Sequence, residues 1–163
     1  LLCAEEVILT PGLYVFGNDI IGTNTLEAPL VRVSADNVII DLSGRVIGYD
    51  TIVSDTHAIG ILIDPGITNV TIQNGSLGPI HGAGIVVSDG CSNIVFRNLH
   101  IANCSRCGVD CQGTSTSIVD GISFMECSVE NCGALAQPIG TGFLATHTKS
   151  IFASNSYFSQ SSS

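Results

Sequence analysis

Apolar and polar residues alternate in short runs along most of the chain, and the same run returns at intervals. The stretch "NVTIQNG" at 69–75 returns 24 residues later as "NIVFRNL" from Asn93, and related runs begin at Asn37, Gly121 and Ser150. Runs that begin with glycine, such as "GILI" at Gly60, recur in the same way. Alternation with a period of two residues is typical of β-strands. Repetition at this interval indicates stacked supersecondary units.

Stacking these units predicts a solenoid in which each strand pairs in parallel, and in register, with its equivalent one coil later. No segment has the 3.6-residue apolar stripe of a helix, so we expect an all-β fold. Equivalent residues should then form inward columns. The predicted columns are Val70, Ile94, Ile122 and Ile151; Ile72, Phe96, Phe124 and Ala153; Leu77, Ile101, Val129 and Phe158; Ile61, Ile85, Val109 and Phe143; and Ile63, Val87, Cys111 and Ala145.

Asparagine recurs where one of these strands ends. Asn74, Asn98 and Asn155 share that position, and Glu126 replaces asparagine once. Asparagine tolerates the left-handed backbone of a sharp corner, and its amide can hydrogen-bond to the next amide in a stack. We therefore assign these three asparagines a structural role.

Three segments carry a family resemblance: "PGLYVFGNDIIG" (11–22), "VRVSADNVIIDLSGRVIG" (31–48) and "GILIDPGITNVTIQNGSL" (60–77). They resemble the right-handed parallel β-helix, or pectin-lyase-like, superfamily, and the similarity extends over about residues 10–158. The resemblance implies a right-handed parallel β-helix of a single chain with about five to six coils. Because that superfamily contains lyases, hydrolases, epimerases, tailspikes, adhesins and structural proteins, the resemblance does not select a function.

We expect residues 1–163 to form one β-helix domain. Residues 1–12 would be an N-terminal cap or the remnant of a secretion signal, and residues 159–163 a flexible end. The stacked coils would otherwise leave open strand edges, so we expect the domain to be part of a longer chain.

Composition excludes two classes of partner. Lys and Arg total 5 against 14 Asp and Glu, and the net charge is −9. Nucleic-acid binding needs clustered basic residues, so we expect no nucleic-acid partner. No apolar run reaches the roughly 18–20 residues of a membrane span. Nothing in the sequence indicates a cofactor.

The cysteines invite a metal site, but alternation disfavours it. The run "CSRCGVDC" holds Cys104, Cys107 and Cys111. Cys111 falls in an inward column, so the three thiols would not converge, and we predict no metal. Cys104 and Cys132 lie one coil apart, with Cα atoms ~5 Å apart, which a disulfide permits. The sequence is compatible both with a disulfide between Cys104 and Cys132 and with two free thiols.

The candidate chemical group consists of His57, His81 and Asp55. The histidines are 24 residues apart and in register, and Asp55 lies two residues before the first. Such a group could bind a metal or act as acid and base. The simpler interpretation is a surface ladder without function. The carboxylate pairs of glycosidases and the calcium cluster of pectate lyases are missing from the pattern.

Several outward positions are apolar and predict self-association: Leu62, Val86, Leu144, Val95 and Phe152. A contiguous strip of this kind marks a buried contact, and a homo-oligomer, for example a trimer, or further coils of the same chain would cover it. We therefore expect a non-catalytic structural or adhesion module of a secreted, cell-surface or virion protein, with a glycan as a candidate partner. The alternative is a carbohydrate-active enzyme, namely a polysaccharide lyase, a glycoside hydrolase or an epimerase.

Overall fold

The structure is a computed structural model that describes residues 5–23, 28–50, 57–133 and 141–159. Within these ranges all regular secondary structure consists of β-strands, and there is no helix. None of the described segments is a helix with the length and hydropathy of a membrane span.

The described strands group into six successive coils, which amount to about five turns of a parallel β-helix. The first coil contains β1 (Glu6–Ile8), β2 (Gly12–Val15) and β3 (Ile20–Gly22), and the second contains β4 (Val31–Val33), β5 (Val38–Asp41) and β6 (Val46–Tyr49). The third coil contains β7 (Ala58–Ile63) and β8 (Thr68–Leu77), and the fourth contains β9 (Gly82–Val87) and β10 (Ser92–Ala102). The fifth coil contains β11 (Cys107–Gln112), β12 (Val119–Met125) and β13 (Ser128–Glu130), and the sixth contains β14 (Thr141–Thr146), β15 (Thr148–Ser154) and β16 (Tyr157–Phe158). The predicted all-β solenoid of five to six coils is confirmed.

Two parallel sheets run along the axis of the stack. The six-stranded sheet has the order β1-β4-β7-β9-β11-β14. The ten-stranded sheet has the order β2-β5-β8-β10-β12-β15 and continues past a corner into β3, β6, β13 and β16. Each strand pairs with the equivalent strand of the next coil, so almost every backbone hydrogen bond runs between coils rather than within one.

The inward columns predicted from the sequence are confirmed. Val70 pairs with Ile94, Ile94 with Ile122, and Ile122 with Ile151. The other four columns hold the same register. Most of these side chains are fully buried, whereas Ile151 is 47% exposed because β15 is the last described strand of its sheet path. Alternation therefore assigns one face of each sheet to the core.

Phenylalanine rings link the coils at the C-terminal half of the core. The rings of Phe96 and Phe124 lie 5.1 Å apart, and Phe124 is also 5.1 Å from the rings of Phe143 and Phe158. These are the tilted and edge-to-face arrangements that aromatic rings prefer. The cluster ties the fourth, fifth and sixth coils to each other.

The coils differ in length only between strands. On the six-stranded sheet, Ala83 pairs with Cys107, 24 positions later, whereas on the ten-stranded sheet Ser92 pairs with Asp120, 28 positions later. The four additional residues belong to the connector at 113–118, which closes with hydrogen bonds between Thr114 and Ser117. Extra length is thus accommodated in a connector while both sheets keep their register.

Replacing a core ring tests this packing. We expect Phe96→Ala to lower the free energy of unfolding by about 3–5 kcal/mol, because it removes a fully buried side chain and leaves a cavity. Phe152→Ala is the matched control, since the Phe152 ring is 56% exposed, and it should stay within about 0.5 kcal/mol. Urea unfolding followed by circular dichroism measures both. Equal losses in the two variants would contradict the assignment of Phe96 to the core.

Candidate functional site

The corner of the ten-stranded sheet is built from one column of residues with left-handed backbone. Asn74, Asn98, Glu126 and Asn155 have φ angles of 61°, 47°, 56° and 47°. The Asn98 amide nitrogen Nδ2 donates to Asn74 Oδ1 over 3.1 Å, and Asn74 Nδ2 donates to Asp41 Oδ2 over 2.9 Å. The structure therefore brings Asn74, Asn98 and Asn155 into the same column, which we call the corner column.

Glu126 interrupts the hydrogen bonds of the corner column. An asparagine there could donate its amide to Asn98 Oδ1, but an ionised carboxylate has no proton to donate. Across the described ranges, no side chain donates a hydrogen bond to the Glu126 carboxylate and none forms an ion pair with it. Asparagine also tolerates a positive φ better than glutamate does. Glu126 is thus a residue that the corner itself does not favour.

Two grooves flank the corner column on the outer surface. One has a volume of about 530 Å³ and the other about 320 Å³, and both are lined by Glu126 and Asn155. Leu99 and Cys127, which follow the corner and are buried, line the larger groove. The grooves arise because the outward side chains before and after the corner project to either side of the column.

Hydrogen-bonding groups and one aromatic ring line the larger groove. His100 Nδ1 and Ser128 Oγ are 2.7 Å apart and share a hydrogen bond. The Tyr157 ring, in the same outward column, is 60% exposed. Asn98 adds an amide from the corner column. Among the described lining residues, Glu126 supplies the carboxylate and no second one stands opposite it.

The smaller groove lies on the other side of the corner column. Its lining includes Arg97 and Met125, and the exposed Phe152 ring. Arg97 pairs with Gln73 and Met125 on the neighbouring strands, and its Nη2 lies 3.7 Å from Met125 Sδ. The sequence pattern did not identify either groove. Counting two residues after each corner residue would have placed Ser76, His100, Ser128 and, in the last coil, Tyr157 in one outward column.

The two histidines of the predicted chemical group lie on adjacent coils. Ala58 pairs with Gly82, and the Ala58 N–H donates to the His81 carbonyl over 3.3 Å. His57 is exposed, whereas His81 is 7% exposed. Asp55 lies outside the described residues. The described part of the chain contains no group of three or more His, Cys, Asp or Glu side chains that could hold a metal ion.

The predicted apolar strip is divided between two sheets. Leu62, Val86 and Leu144 lie on the outer face of the six-stranded sheet, and Val95 and Phe152 on that of the ten-stranded sheet. Val86 is only 2% exposed, because it packs in a second, smaller apolar cluster. Val86 therefore lies on the outer face of the sheet, but it is covered rather than exposed to solvent. Leu144 and Phe152 are exposed, and their role in self-association stays a prediction.

An ion pair interrupts the outer column of the six-stranded sheet. Asp110 pairs with Val86 on one side and Leu144 on the other, and it is buried although it lies between the inward residues Val109 and Cys111. Arg106 Nη2 and Gln112 Nε2 both donate to Asp110 Oδ2. Neutralisation by Arg106 is what makes a carboxylate at this buried position tolerable. The column is therefore not a continuous apolar strip.

All six described cysteines are free and buried. Cys104 and Cys132 lie on neighbouring coils, where the Gly133 N–H donates to the Cys104 carbonyl over 2.7 Å, but they form no disulfide. Burial raises the pKa of Cys91 and Cys107 to about 11 and that of Cys111 to about 12. Thiols held in the neutral form are poor nucleophiles and poor metal ligands. These three cysteines act as small buried apolar residues.

Comparison with known protein families gives one match to this chain. The family model described as "Right handed beta helix region" matches residues 10–163. No curated protein and no solved structure matches the chain. The matched span begins just before β2 and covers the corner column and both grooves.

Restoring the missing amide hydrogen bond of the corner column at position 126 should stabilise the protein. We expect Glu126→Asn to raise the free energy of unfolding by about 0.5–1.5 kcal/mol, because its amide can donate to Asn98 Oδ1. Glu126→Gln is the control, since it removes the same charge on a longer side chain that does not fit the rung. Urea unfolding compares them. If the Asn variant is no more stable than the Gln variant, the interrupted ladder is not the cause.

Asp41 accepts a hydrogen bond from Asn74 of the corner column and should make the folding stability depend on pH. Hydrogen bonds from Gln73, from the Ser43 N–H and from Asn74 lower its pKa below the usual value. A lowered folded-state pKa stabilises the protein above the unfolded pKa of ~3.9, and this stabilisation is lost as pH falls through the folded value. Asp41→Asn should therefore flatten the decline of the melting temperature below about pH 4.

Thermal unfolding of wild type and variant between pH 2 and pH 7 checks this dependence. Asp89→Asn is the matched control, because the Asp89 carboxylate accepts no hydrogen bond from any described side chain. An acid decline that is identical in wild type and Asp41→Asn would rule out this role of Asp41.

Proposed function

The chain belongs to the right-handed β-helix family, and we propose that it is a non-catalytic structural and adhesion module of a secreted, cell-surface or virion protein. In this role the stacked coils form a rigid rod, and the outer surface binds. Self-association belongs to the proposal, with the exposed Leu144 on the outer face of the six-stranded sheet as the residue that would contact a second copy.

The observation that supports the proposal most is the chemistry of the two grooves. Acid–base cleavage of a glycosidic bond requires two carboxyl groups at a defined separation across the bond. Among the described residues that line the grooves, Glu126 is the one acid. Ca²⁺ is bound by several oxygen ligands, including carboxylates, and no such group is found among the described side chains. The grooves are therefore suited to holding a ligand rather than to cleaving one.

The core supports a rod. The inward residues stack without a polar interruption from the second to the fifth coil, and each coil adds its own row of backbone hydrogen bonds. Backbone held in hydrogen-bonded strands is poorly accessible to proteases, and the stacked strands resist bending along the axis. Both properties suit a protein that works outside the cell.

A carbohydrate-active enzyme is the second candidate. It is favoured by the placement of His57 and His81 on adjacent coils. The different burial of the two rings argues for the simpler interpretation, since His81 is covered and His57 is exposed.

Turnover and mass in solution distinguish the two functions. We expect the purified chain to form a stable oligomer by size-exclusion chromatography with light scattering. We also expect neither a rise in ultraviolet absorbance on polyuronate nor new reducing ends on neutral polysaccharides. Leu144→Ser should lower the mass, because it places a polar side chain in the proposed contact. Turnover that His57→Ala and His81→Ala each abolish, from a monomeric protein, would replace the proposal with the enzyme.

A further inference from the structure

We propose that Cys104 and Cys132 form a disulfide between the fourth and fifth coils when the chain folds in an oxidising compartment. The structure shows the reduced form of this pair, since all six described cysteines are free. The inference rests on the proposed function outside the cell, because disulfides form and persist in that environment. It assigns a modification site that links two coils covalently.

The two cysteines occupy equivalent places on neighbouring coils. Ala102 pairs in parallel with Glu130, and each cysteine follows two residues later. The Gly133 N–H donates to the Cys104 carbonyl over 2.7 Å, so the register holds past the strand ends. In-register residues on adjacent parallel strands have Cα atoms ~4.8 Å apart, which lies within the range that a disulfide spans.

Glycines of the six-stranded sheet face the two sulfur atoms. Gly84 and Gly108 occupy the same register position in β9 and β11. A Cβ atom at Gly84 would lie 3.2 Å from Cys104 Sγ, and one at Gly108 would lie 3.4 Å from Cys132 Sγ. Each sulfur therefore points toward the glycine of its own coil, so the two side chains point the same way and lie one above the other.

The ionisation of the two thiols reflects the same proximity. A hydrogen bond with the Cys104 thiol lowers the pKa of Cys132, whereas the Cys132 thiol and burial raise the pKa of Cys104. Opposite shifts of this kind arise when one thiol donates to the sulfur of the other, because the donor stabilises the thiolate of its neighbour. Cys132 is therefore the more readily ionised thiol of the pair.

None of the other described cysteines has a cysteine at the equivalent position of the next coil. Cys107 pairs with Ala83 and Thr141. Cys111 likewise pairs with residues other than cysteine. The Cys91 thiol donates to a backbone carbonyl of the third coil over 3.1 Å, which directs it away from the fifth coil. The register therefore selects the proposed pair over other combinations.

Thiol–disulfide exchange with glutathione disulfide makes the bond while the coils are docking. The Cys132 thiolate attacks one sulfur of glutathione disulfide, which releases one glutathione and leaves a mixed disulfide. Docking of the fifth coil brings in the Cys104 thiolate, which attacks the Cys132 sulfur and expels the second glutathione. The protein loses two protons and two electrons, and these convert glutathione disulfide into two thiols. Because both cysteines are fully buried after docking, the exchange takes place during folding.

Refolding under defined redox conditions tests the proposal. The full chain is reduced, unfolded, and refolded in reduced and oxidised glutathione, and its free thiols are then alkylated before digestion and mass spectrometry. We expect a linkage between Cys104 and Cys132 to be the main disulfide. The oxidised protein should melt roughly 5–10 °C above the reduced protein, because the bond restricts the unfolded chain.

Single variants separate the bond from the loss of a buried thiol. Cys132→Ala and Cys104→Ala should each abolish the linkage and the rise in melting temperature. Cys127→Ala is the matched control and should keep both, because Cys127 is also buried but meets Ser156 on the next coil.

Two results would overturn the site: a different main disulfide, or no linkage in wild-type protein that has regained its β-sheet circular dichroism. Either result would leave the proposed module intact, since solution mass and turnover are measured without reference to the bond. Conversely, turnover would replace the proposed function without affecting the linkage.

Discussion

Parallel, in-register pairing of each coil with the next is the constraint on which the rest of the structure depends. Because strand side chains alternate between two faces, a slip of one residue would exchange the buried and exposed sides of a whole strand. The apolar columns prevent that slip, since Ile85 between Ile61 and Val109 can be buried in only one register. The backbone then satisfies its hydrogen bonds between coils, and the interior needs no polar group.

The corner of the ten-stranded sheet converts this regularity into a surface feature. Left-handed backbone at Asn74 and Asn98 turns the strand path sharply, and the stacked amides hold that turn in successive coils. Side chains before and after the turn diverge, so grooves open beside the column without any inserted loop. Where glutamate replaces asparagine, the column lacks one amide hydrogen bond at the point where the two grooves meet.

The fold was predictable from the sequence because its determinants are local and repeated. Period-two alternation and the recurrence of "NVTI"-like runs define strands and register together, and residues such as Val70 and Ile94 needed no tertiary information. The burial of Val86 and Asp110 was not predictable in this way, because it depends on what packs on the outer face: a second cluster for Val86 and the side chain of Arg106 for Asp110. The grooves also escaped prediction, since alternation assigns a face to a residue but not the angle between two parts of a sheet.

The connector at 113–118 has a consequence for how such a molecule diversifies. It absorbs four residues while the strands on either side keep their partners. Since each coil contacts only its neighbours, a change of length there is not transmitted along the rod. Natural variation can therefore lengthen or reshape the connector of one coil while the two sheets keep their register.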